Sequence, residues 1–183
     1  FLMITVTYSM GAVRLANKNA LVQQVNAVES LSNVDIFCAD KTGTLTTNRL
    51  EVASLVPIGI DEPTLRNQIG TFAASATAGT STSAAIAASS PAEPRPLKDE
   101  VVFTSARKWS ALSIDSGELS GTYALGAPEM LGPHCLPDSV AAGPPSDWLE
   151  QGLRVLLFAS SDTPVAFDDT ADPALPDDLA ATG

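Results

Sequence analysis

An apolar segment that ends in an aspartate places the strongest constraint on the fold. Residues 34–39, Val-Asp-Ile-Phe-Cys-Ala, are nearly all apolar and are followed by Asp40. Such a run is typical of a strand buried on both faces, the usual state of a strand in a parallel sheet. Ligands of open α/β sheets bind at the carboxyl ends of the strands. The sequence therefore predicts a parallel-sheet strand with a reactive carboxylate at its end.

The loop after this strand has the composition of a phosphoryl-transfer site. Lys41, Thr42 and Gly43 follow Asp40 and begin a Gly/Thr-rich loop. The Asp40 carboxylate can attack a phosphoryl group whose oxygens the loop cradles, with Lys41 beside the developing charge. A phosphatase needs an acid/base aspartate two residues further on, to protonate the leaving group and then activate water. Because Thr42 stands there, we expect an aspartyl-phosphate that forms and persists.

The remaining sequence alternates between strand-like and helix-like segments. Apolar and β-branched runs predict strands at 51–58, 101–104, 108–114, 119–125 and 153–160, and a weaker one at 164–167. Helices are predicted over 63–76 and after Pro128 and Ser146, with a short helix and loop within 77–96. The tail from 168 onward has no apolar periodicity.

The N-terminal segment allows two interpretations. It carries no charged side chain before Arg14, and residues 12–32 have helical spacing of apolar positions. The apolar run is shorter than the roughly 20 residues that a bilayer span requires. It is either a core element or the cytosolic end of a membrane helix, and composition alone favours the core element.

Charge and cysteine content exclude several classes of protein. The net charge is −11, and a net charge of −8 lies after residue 130, where nine acidic residues face one basic residue. An acidic chain repels nucleic-acid phosphates, so we expect no nucleic-acid partner. Two distant cysteines exclude a disulfide scaffold. The adjacent His134 and Cys135 do not make a zinc site, and the aspartates between 162 and 178 lack the spacing of a calcium loop, so we expect a solvated acidic tail.

Several motifs, taken in order, resemble those of P-type cation-transporting ATPases. Residues 40–46, DKTGTLT, resemble the phosphorylation motif of that family. Residues 103–110, 126–129 and 152–155 resemble three segments of its nucleotide-binding domain. Residues 11–40 resemble its link from a membrane helix to the phosphorylation strand, which makes the membrane-helix interpretation of the N-terminus the better one.

The resemblance implies a role for particular residues. Phe103 and Lys108 border the adenine, and Arg154 lies near the phosphates. Leu125 stands where the family has a lysine, so the pocket lacks one cation. The resemblance also implies that the bound groups are ATP and, in the full-length protein, Mg²⁺ held by Asp40 and Thr42. The implied site comprises catalytic Asp40, Lys41 and Thr42, and ATP-binding Phe103, Lys108, Gly126, Ala127 and Arg154.

The resemblance further implies a fold and a domain division. The expected fold is α/β (α+β), a twisted and mainly antiparallel sheet flanked by helices, with one strand and loop of a haloacid-dehalogenase (HAD)-like phosphorylation domain. Residues 1–33 would be the cytosolic end of a transmembrane helix and a connecting helix. Residues 34–49 would be part of the phosphorylation domain, and residues 50–183 the nucleotide-binding domain.

The implied function is cation transport driven by ATP through an aspartyl-phosphate at Asp40, with calcium the favoured ion. The family's later Gly-Asp motifs are absent, so we expect this chain to bind ATP without turnover. Its partners would be the remaining phosphorylation, actuator and membrane domains of the same polypeptide, with no obligate oligomer. We expect a cytoplasmic portion of a cell-membrane protein that is soluble by itself. The alternatives are a HAD-superfamily phosphatase or phosphotransferase with a cap domain, and a nucleotide-binding module without turnover.

Overall fold

The computed structural model describes residues 2–24, 30, 33–47, 49–115, 117–140, 146–168 and 173–183. The side chains of Thr42, Ser146 and Leu149 lie outside this description. The chain divides into two compact units, Phe1–Asn48 and Arg49–Gly183. Each unit is described by itself.

The N-terminal unit contains one long helix, α1 (Leu2–Ala16), in which no side chain is buried and most of the large apolar side chains are exposed. No described helix of the chain is long and apolar enough to cross a membrane. The helix predicted over 12–32 ends early, because Asn19 adopts a left-handed conformation (φ 60°) and Ala20 N–H donates to Leu15 O. Residues 25–29, 31 and 32 of that prediction lie outside the described residues.

The strand predicted at 34–39 is wrong for this structure. These residues have no regular structure, and Ile36 and Phe37 are more than four-fifths exposed. A strand requires a neighbouring strand to satisfy its backbone N–H and C=O groups. The described part of residues 1–48 contains no strand that could pair with it. The apolar composition was recognised correctly, but the pairing that it needs is not present.

The second unit is built on a five-stranded sheet that confirms the predicted antiparallel architecture. Its strands are β1 (Asp99–Val101), β2 (Trp109–Ile114), β3 (Gly121–Gly126), β4 (Leu157–Ser161) and β5 (Ala180–Ala181). Each pairs antiparallel with the next in chain order. The strands at 109–114 and 121–126 confirm the central strand predictions. The strand predicted at 101–104 shares only Val101 with β1, and the one predicted at 153–160 begins only at Leu157.

Both faces of the sheet are covered, because alternate side chains point to opposite sides. On one face, Leu112, Leu125 and Phe158 pack under helices α2 (Glu62–Ser75) and α3 (Ser81–Ser89). On the other, Trp109 and Ala124 belong to a second buried cluster that includes Leu131 of α4. Three short helices, α4 (Pro128–Leu131), α5 (Pro137–Val140) and α6 (Ser146–Glu150), lie between β3 and β4 in the sequence.

The two helices on the first face begin where the sequence supplies capping side chains. Asp61 Oδ1 accepts a hydrogen bond from Thr64 N–H at 3.0 Å and caps α2, which confirms the helix predicted over 63–76. Thr80 and Ser83 form a reciprocal capping box at the start of α3, the short helix predicted within 77–96. The aromatic rings of Phe72 and Phe158 meet edge to face, with centroids 5.7 Å apart, and join α2 to β4.

Two further strand predictions are wrong, and the tail is better ordered than its sequence indicates. Residues 51–58 form no strand, and Val52 and Leu55 instead pack against the core from an irregular segment. Residues 164–167 also form no strand. The tail contributes β5, because Leu179 is fully buried and anchors it beside β4.

The described aspartates of this segment, Asp162, Asp168, Asp177 and Asp178, are exposed, as expected for a solvated acidic segment, whereas Asp169 and Asp172 lie outside the described residues. Asp178 also serves as an anchor, since it accepts hydrogen bonds from Ser161 Oγ (2.6 Å) and Thr163 Oγ1 (3.2 Å). The Ser161 hydrogen bond is the main cause that lowers the pKa of the Asp178 carboxyl; burial opposes it with a smaller effect, and the Thr163 hydrogen bond adds a further lowering. Among the described residues, no group of three or more His, Cys, Asp or Glu could hold a metal ion.

Candidate functional site

The second unit contains a cavity of about 840 Å³ on the face of the sheet that α2 and α3 cover. Its walls come from β2 and β3, the end of α2, the start of α3 and residues 153–156. Binding sites for small molecules commonly have volumes of about 300–1,000 Å³. The lining residues are Phe72, Ala76, Ala78, Thr80, Ser81, Thr82, Ser83, Glu100, Phe103, Ser105, Lys108, Ser110, Leu112, Leu125, Gly126, Ala127, Pro128, Glu129, Leu153, Arg154, Val155 and Leu156.

Five residues that the sequence assigns to an ATP site line this single cavity. They come from segments up to 51 positions apart in the chain, and the sheet brings them together. The side chain of Phe103 is 47% exposed, so it is not a core residue and its ring is accessible. The five residues are Phe103, Lys108, Gly126, Ala127 and Arg154.

Lys108 is held at the cavity wall by its backbone. Its φ of 59° lies in the left-handed region, which non-glycine residues adopt infrequently. Lys108 N–H donates to Thr104 O at 2.8 Å, and Lys108 O accepts from Ala127 N–H at 3.0 Å. Both hydrogen bonds fix the peptide groups on either side of this residue. The side chain therefore leaves the backbone from a defined point, and its Nζ lies 3.6 Å from Glu129 Oε1.

Arg107 takes a different position from its neighbour. Its guanidinium lies over the Trp109 ring, 5.2 Å from the centroid, and Nη1 donates to Val102 O at 2.9 Å. Arg107 is not among the residues that line the cavity. Of these two adjacent basic residues only Lys108 lines the cavity, since a cation–π contact holds the Arg107 side chain over Trp109.

Sequence reasoning did not assign the two acidic residues of the cavity wall to the site. Glu100 accepts hydrogen bonds from the backbone N–H and the hydroxyl of Thr77. Glu129 follows Pro128 directly in the 126–129 motif, so its place in the sequence could have identified it. The hydroxyl-rich start of α3 was also not assigned to the site, because the sequence predicts only a short helix and loop within residues 77–96.

The floor of the cavity is apolar. Phe72, Leu112 and Leu125 line it from α2, β2 and β3. Leu125 is 8% exposed and also belongs to the core cluster under α2. The position at which the family resemblance expects a lysine is therefore part of the hydrophobic floor.

The loop that follows Asp40 lies in the N-terminal unit. Asp40 precedes a π-helical turn, Lys41–Leu45, and Gly43 within that turn has a φ of 80°. Thr46 Oγ1 accepts from Gly43 N–H at 3.3 Å and donates to Lys41 O at 3.4 Å. Asp40 and Lys41 are exposed. The catalytic roles of Asp40, Lys41 and Thr42 stay predictions.

The described residues around Asp40 do not make a magnesium site on their own. A protein Mg²⁺ site uses carboxylates together with water and substrate phosphates. No group of three candidate ligand residues occurs in the described portion of the chain, and the Thr42 side chain lies outside it.

Comparison with known proteins identifies the family. No family model matches the chain. The chain is 36% identical over 165 residues to the calcium-transporting ATPase CtpE of Mycolicibacterium smegmatis, an alignment that covers 90% of this chain. It is 32% identical over 183 residues to the probable cation-transporting ATPase exp7 of Streptococcus pneumoniae, which covers 98% of it. The chain belongs to the P-type ATPase family.

The P-type ATPase relatives differ in extent and in the ion that their names give. The chain spans about a fifth of the length of CtpE and of exp7. A shorter stretch of 52 residues is 56% identical to the potassium-transporting ATPase alpha chain 2 of Rattus norvegicus. The antiparallel sheet with flanking helices is consistent with a nucleotide-binding domain of a P-type ATPase.

Proposed function

We propose that the unit of residues 49–183 binds ATP in the cavity and that Asp40 accepts the γ-phosphoryl group in the whole protein. The reaction would drive cation transport across a membrane. The observation that supports this proposal is the convergence of Phe103, Lys108, Gly126, Ala127 and Arg154 on one cavity. The predicted phosphorylation motif at 40–46 supplies the acceptor.

The cavity combines the groups that a nucleotide requires. The accessible ring of Phe103 can stack on a flat base. Arg154 can donate in a bidentate manner to phosphate oxygens, and it is exposed at the cavity wall. Gly126 and Ala127 allow close approach because they present little or no side chain. The apolar floor at Leu112 and Leu125 excludes water beneath the base.

The phosphoryl transfer proposed for the whole protein is a direct displacement. A carboxylate oxygen of Asp40 attacks the γ-phosphorus of ATP. The bond between that phosphorus and the β–γ bridging oxygen breaks, and ADP leaves with the electron pair. Because Thr42 replaces the acid/base aspartate of a phosphatase, the acyl-phosphate is not hydrolysed at once.

Calcium is the proposed transported ion. Three CtpE relatives with 90% coverage of this chain, from M. smegmatis, Mycobacterium bovis and Mycobacterium tuberculosis, are named calcium-transporting ATPases. Stimulation of ATPase activity by Ca²⁺, K⁺ and other cations, measured on the intact protein, tests this choice. Stimulation by K⁺ and not by Ca²⁺ would reverse it.

ATP binding is tested by isothermal titration calorimetry on the 183-residue chain. We expect saturable binding that Arg154→Gln weakens about tenfold, a loss of about 1.4 kcal/mol. Arg95→Gln is the matched control, because it removes the same charge from an exposed residue that does not line the cavity. In NMR spectra, the backbone amide shifts caused by added ATP should concentrate at residues 103–110 and near residue 126. Absence of binding, or equal loss in both variants, contradicts the proposed site.

The chain by itself should not transfer phosphate from ATP to Asp40. Incubation with labelled ATP should yield no acid-stable, hydroxylamine-labile phosphate, since the later Gly-Asp motifs are absent from the sequence. A label that appears and is lost in Asp40→Asn would show that the missing motifs are dispensable.

A further inference from the structure

We propose that Glu129 is an internal competitor of the nucleotide for Lys108 and thereby sets the affinity of the cavity for anionic ligands. The inference rests on the proposed function, because it assumes that a nucleotide occupies this cavity. It assigns a specificity-determining role to an acidic residue at the cavity wall.

The geometry of Lys108 restricts the partners that its ammonium group can reach. Hydrogen bonds to Thr104 O and from Ala127 N–H hold its backbone in the left-handed region. Ala127 is also the N-terminal flank of α4, and Ala127 O accepts from the N–H groups of Met130 and Leu131. Lys108 and Glu129 are therefore attached to the same hydrogen-bonded corner. Because both residues are attached to this corner, the backbone places Lys108 Nζ and Glu129 Oε1 3.6 Å apart.

The charges of the cavity wall make this ion pair important. Two basic and two acidic residues line the cavity, so its formal charge is zero. Glu100 accepts hydrogen bonds from the N–H and hydroxyl of Thr77. Glu129 partly neutralises the charge of Lys108 through their ion pair. In the part of the chain that the structure describes, Arg154 forms no ion pair. Glu129 therefore reduces the attraction of one of the cavity's two cations for phosphate.

The arrangement predicts that ligand phosphates must replace the Glu129 carboxylate at Lys108. The side chains of Lys108 and Glu129 are 52% and 62% exposed, so solvent screens their attraction. Exposed ion pairs contribute up to about 1 kcal/mol, which corresponds to a factor of about five in an equilibrium constant. A ligand phosphate can compete with a pair of this strength.

The test measures ATP and adenosine binding by calorimetry at low ionic strength. Glu129→Gln should lower the Kd for ATP roughly two- to fivefold and leave the Kd for adenosine unchanged. Glu118→Gln is the charge-matched control, because Glu118 is exposed and does not line the cavity. The improvement in ATP affinity caused by Glu129→Gln should be smaller at high salt.

A double-variant cycle separates competition from simple repulsion. In a Lys108→Met background, Glu129→Gln should no longer improve ATP affinity. Persistence of the gain in that background would overturn the inference, since it would mean that Glu129 only repels the phosphates. Weaker ATP binding by Glu129→Gln, no change, or equal tightening of adenosine would also overturn it. If the wild-type chain binds no ATP at all, the proposed function fails instead.

Discussion

Gly126 and Trp109 face each other across β2 and β3 with no space for a side chain at position 126. A Cβ atom on Gly126 would lie 2.3 Å from the Trp109 Cβ and 3.0 Å from Lys108 O. Trp109 is fully buried and cannot move aside, because its side chain packs in the core on the face of the sheet that α2 and α3 do not cover. Glycine at this position therefore maintains both the strand pairing and the wall of the cavity.

Gly126→Ala should lower the free energy of unfolding by about 1–3 kcal/mol, the usual cost of overpacking a dense site. Urea denaturation followed by circular dichroism measures the change. Gly79→Ala is the control, because a Cβ there meets nothing within 4 Å. Equal stability of the two variants would show that β2 and β3 can separate at no cost.

Leu125→Lys should tighten ATP binding by roughly tenfold, or about 1.4 kcal/mol. The change restores the cation that the family resemblance expects at a residue that lines the cavity. Leu125→Met, which keeps a similar volume without charge, serves as the control in calorimetric titrations. An unchanged Kd for ATP would mean that this cavity differs from the nucleotide pocket that the family resemblance implies.

The two cysteines should differ widely in their reactivity toward iodoacetamide. Burial raises the pKa of the Cys135 thiol to about 11, and the thiol donates to Leu131 O at 3.5 Å. At pH 8 only about one thiol in a thousand is then a thiolate. Cys38 is exposed. Mass spectrometry of the native chain should find one rapid modification that Cys38→Ser abolishes, whereas rapid labelling of Cys135 would show that the α4 region opens.

Asp178→Asn should destabilise the second unit at neutral pH and have less effect in acid. The lowered folded-state pKa means that the carboxylate contributes stability above the unfolded pKa of about 3.9. That contribution is lost as the pH falls through the folded-state pKa. Urea unfolding at pH 7 and pH 3 should therefore show a smaller difference between wild type and variant at pH 3. Asp177→Asn, which removes the same charge from an exposed neighbouring residue, is the matched control.

The central strands and the two longer helices could be predicted because their signals are local. Trp109–Ile114 and Gly121–Gly126 have apolar and β-branched side chains, and Asp61 and Thr80 are capping residues. The strand at 34–39 was predicted from composition alone. Strand formation also depends on a neighbouring strand, which a single segment does not reveal.

The candidate site was predictable in part for a similar reason. Motif resemblance identified Phe103, Lys108 and Arg154 without their geometry. It could not show that Arg107 stacks on Trp109, because adjacent cations differ only in the direction that the backbone gives them. The pairing of Lys108 with Glu129 likewise depends on a corner formed by residues 104, 108 and 127.

The order of strands in the sheet equals their order in the chain, with consequences for synthesis on the ribosome. Each strand from β2 onward can pair with a strand that has already been synthesised, so the sheet can form in order from β1 to β5. The cavity is completed later than the first three strands, because residues 153–156 of its wall precede β4 directly in the sequence. A nascent chain truncated before residue 153 would carry a partly assembled sheet without a complete cavity. Retention on immobilised ATP should therefore begin only after this last segment has left the exit tunnel.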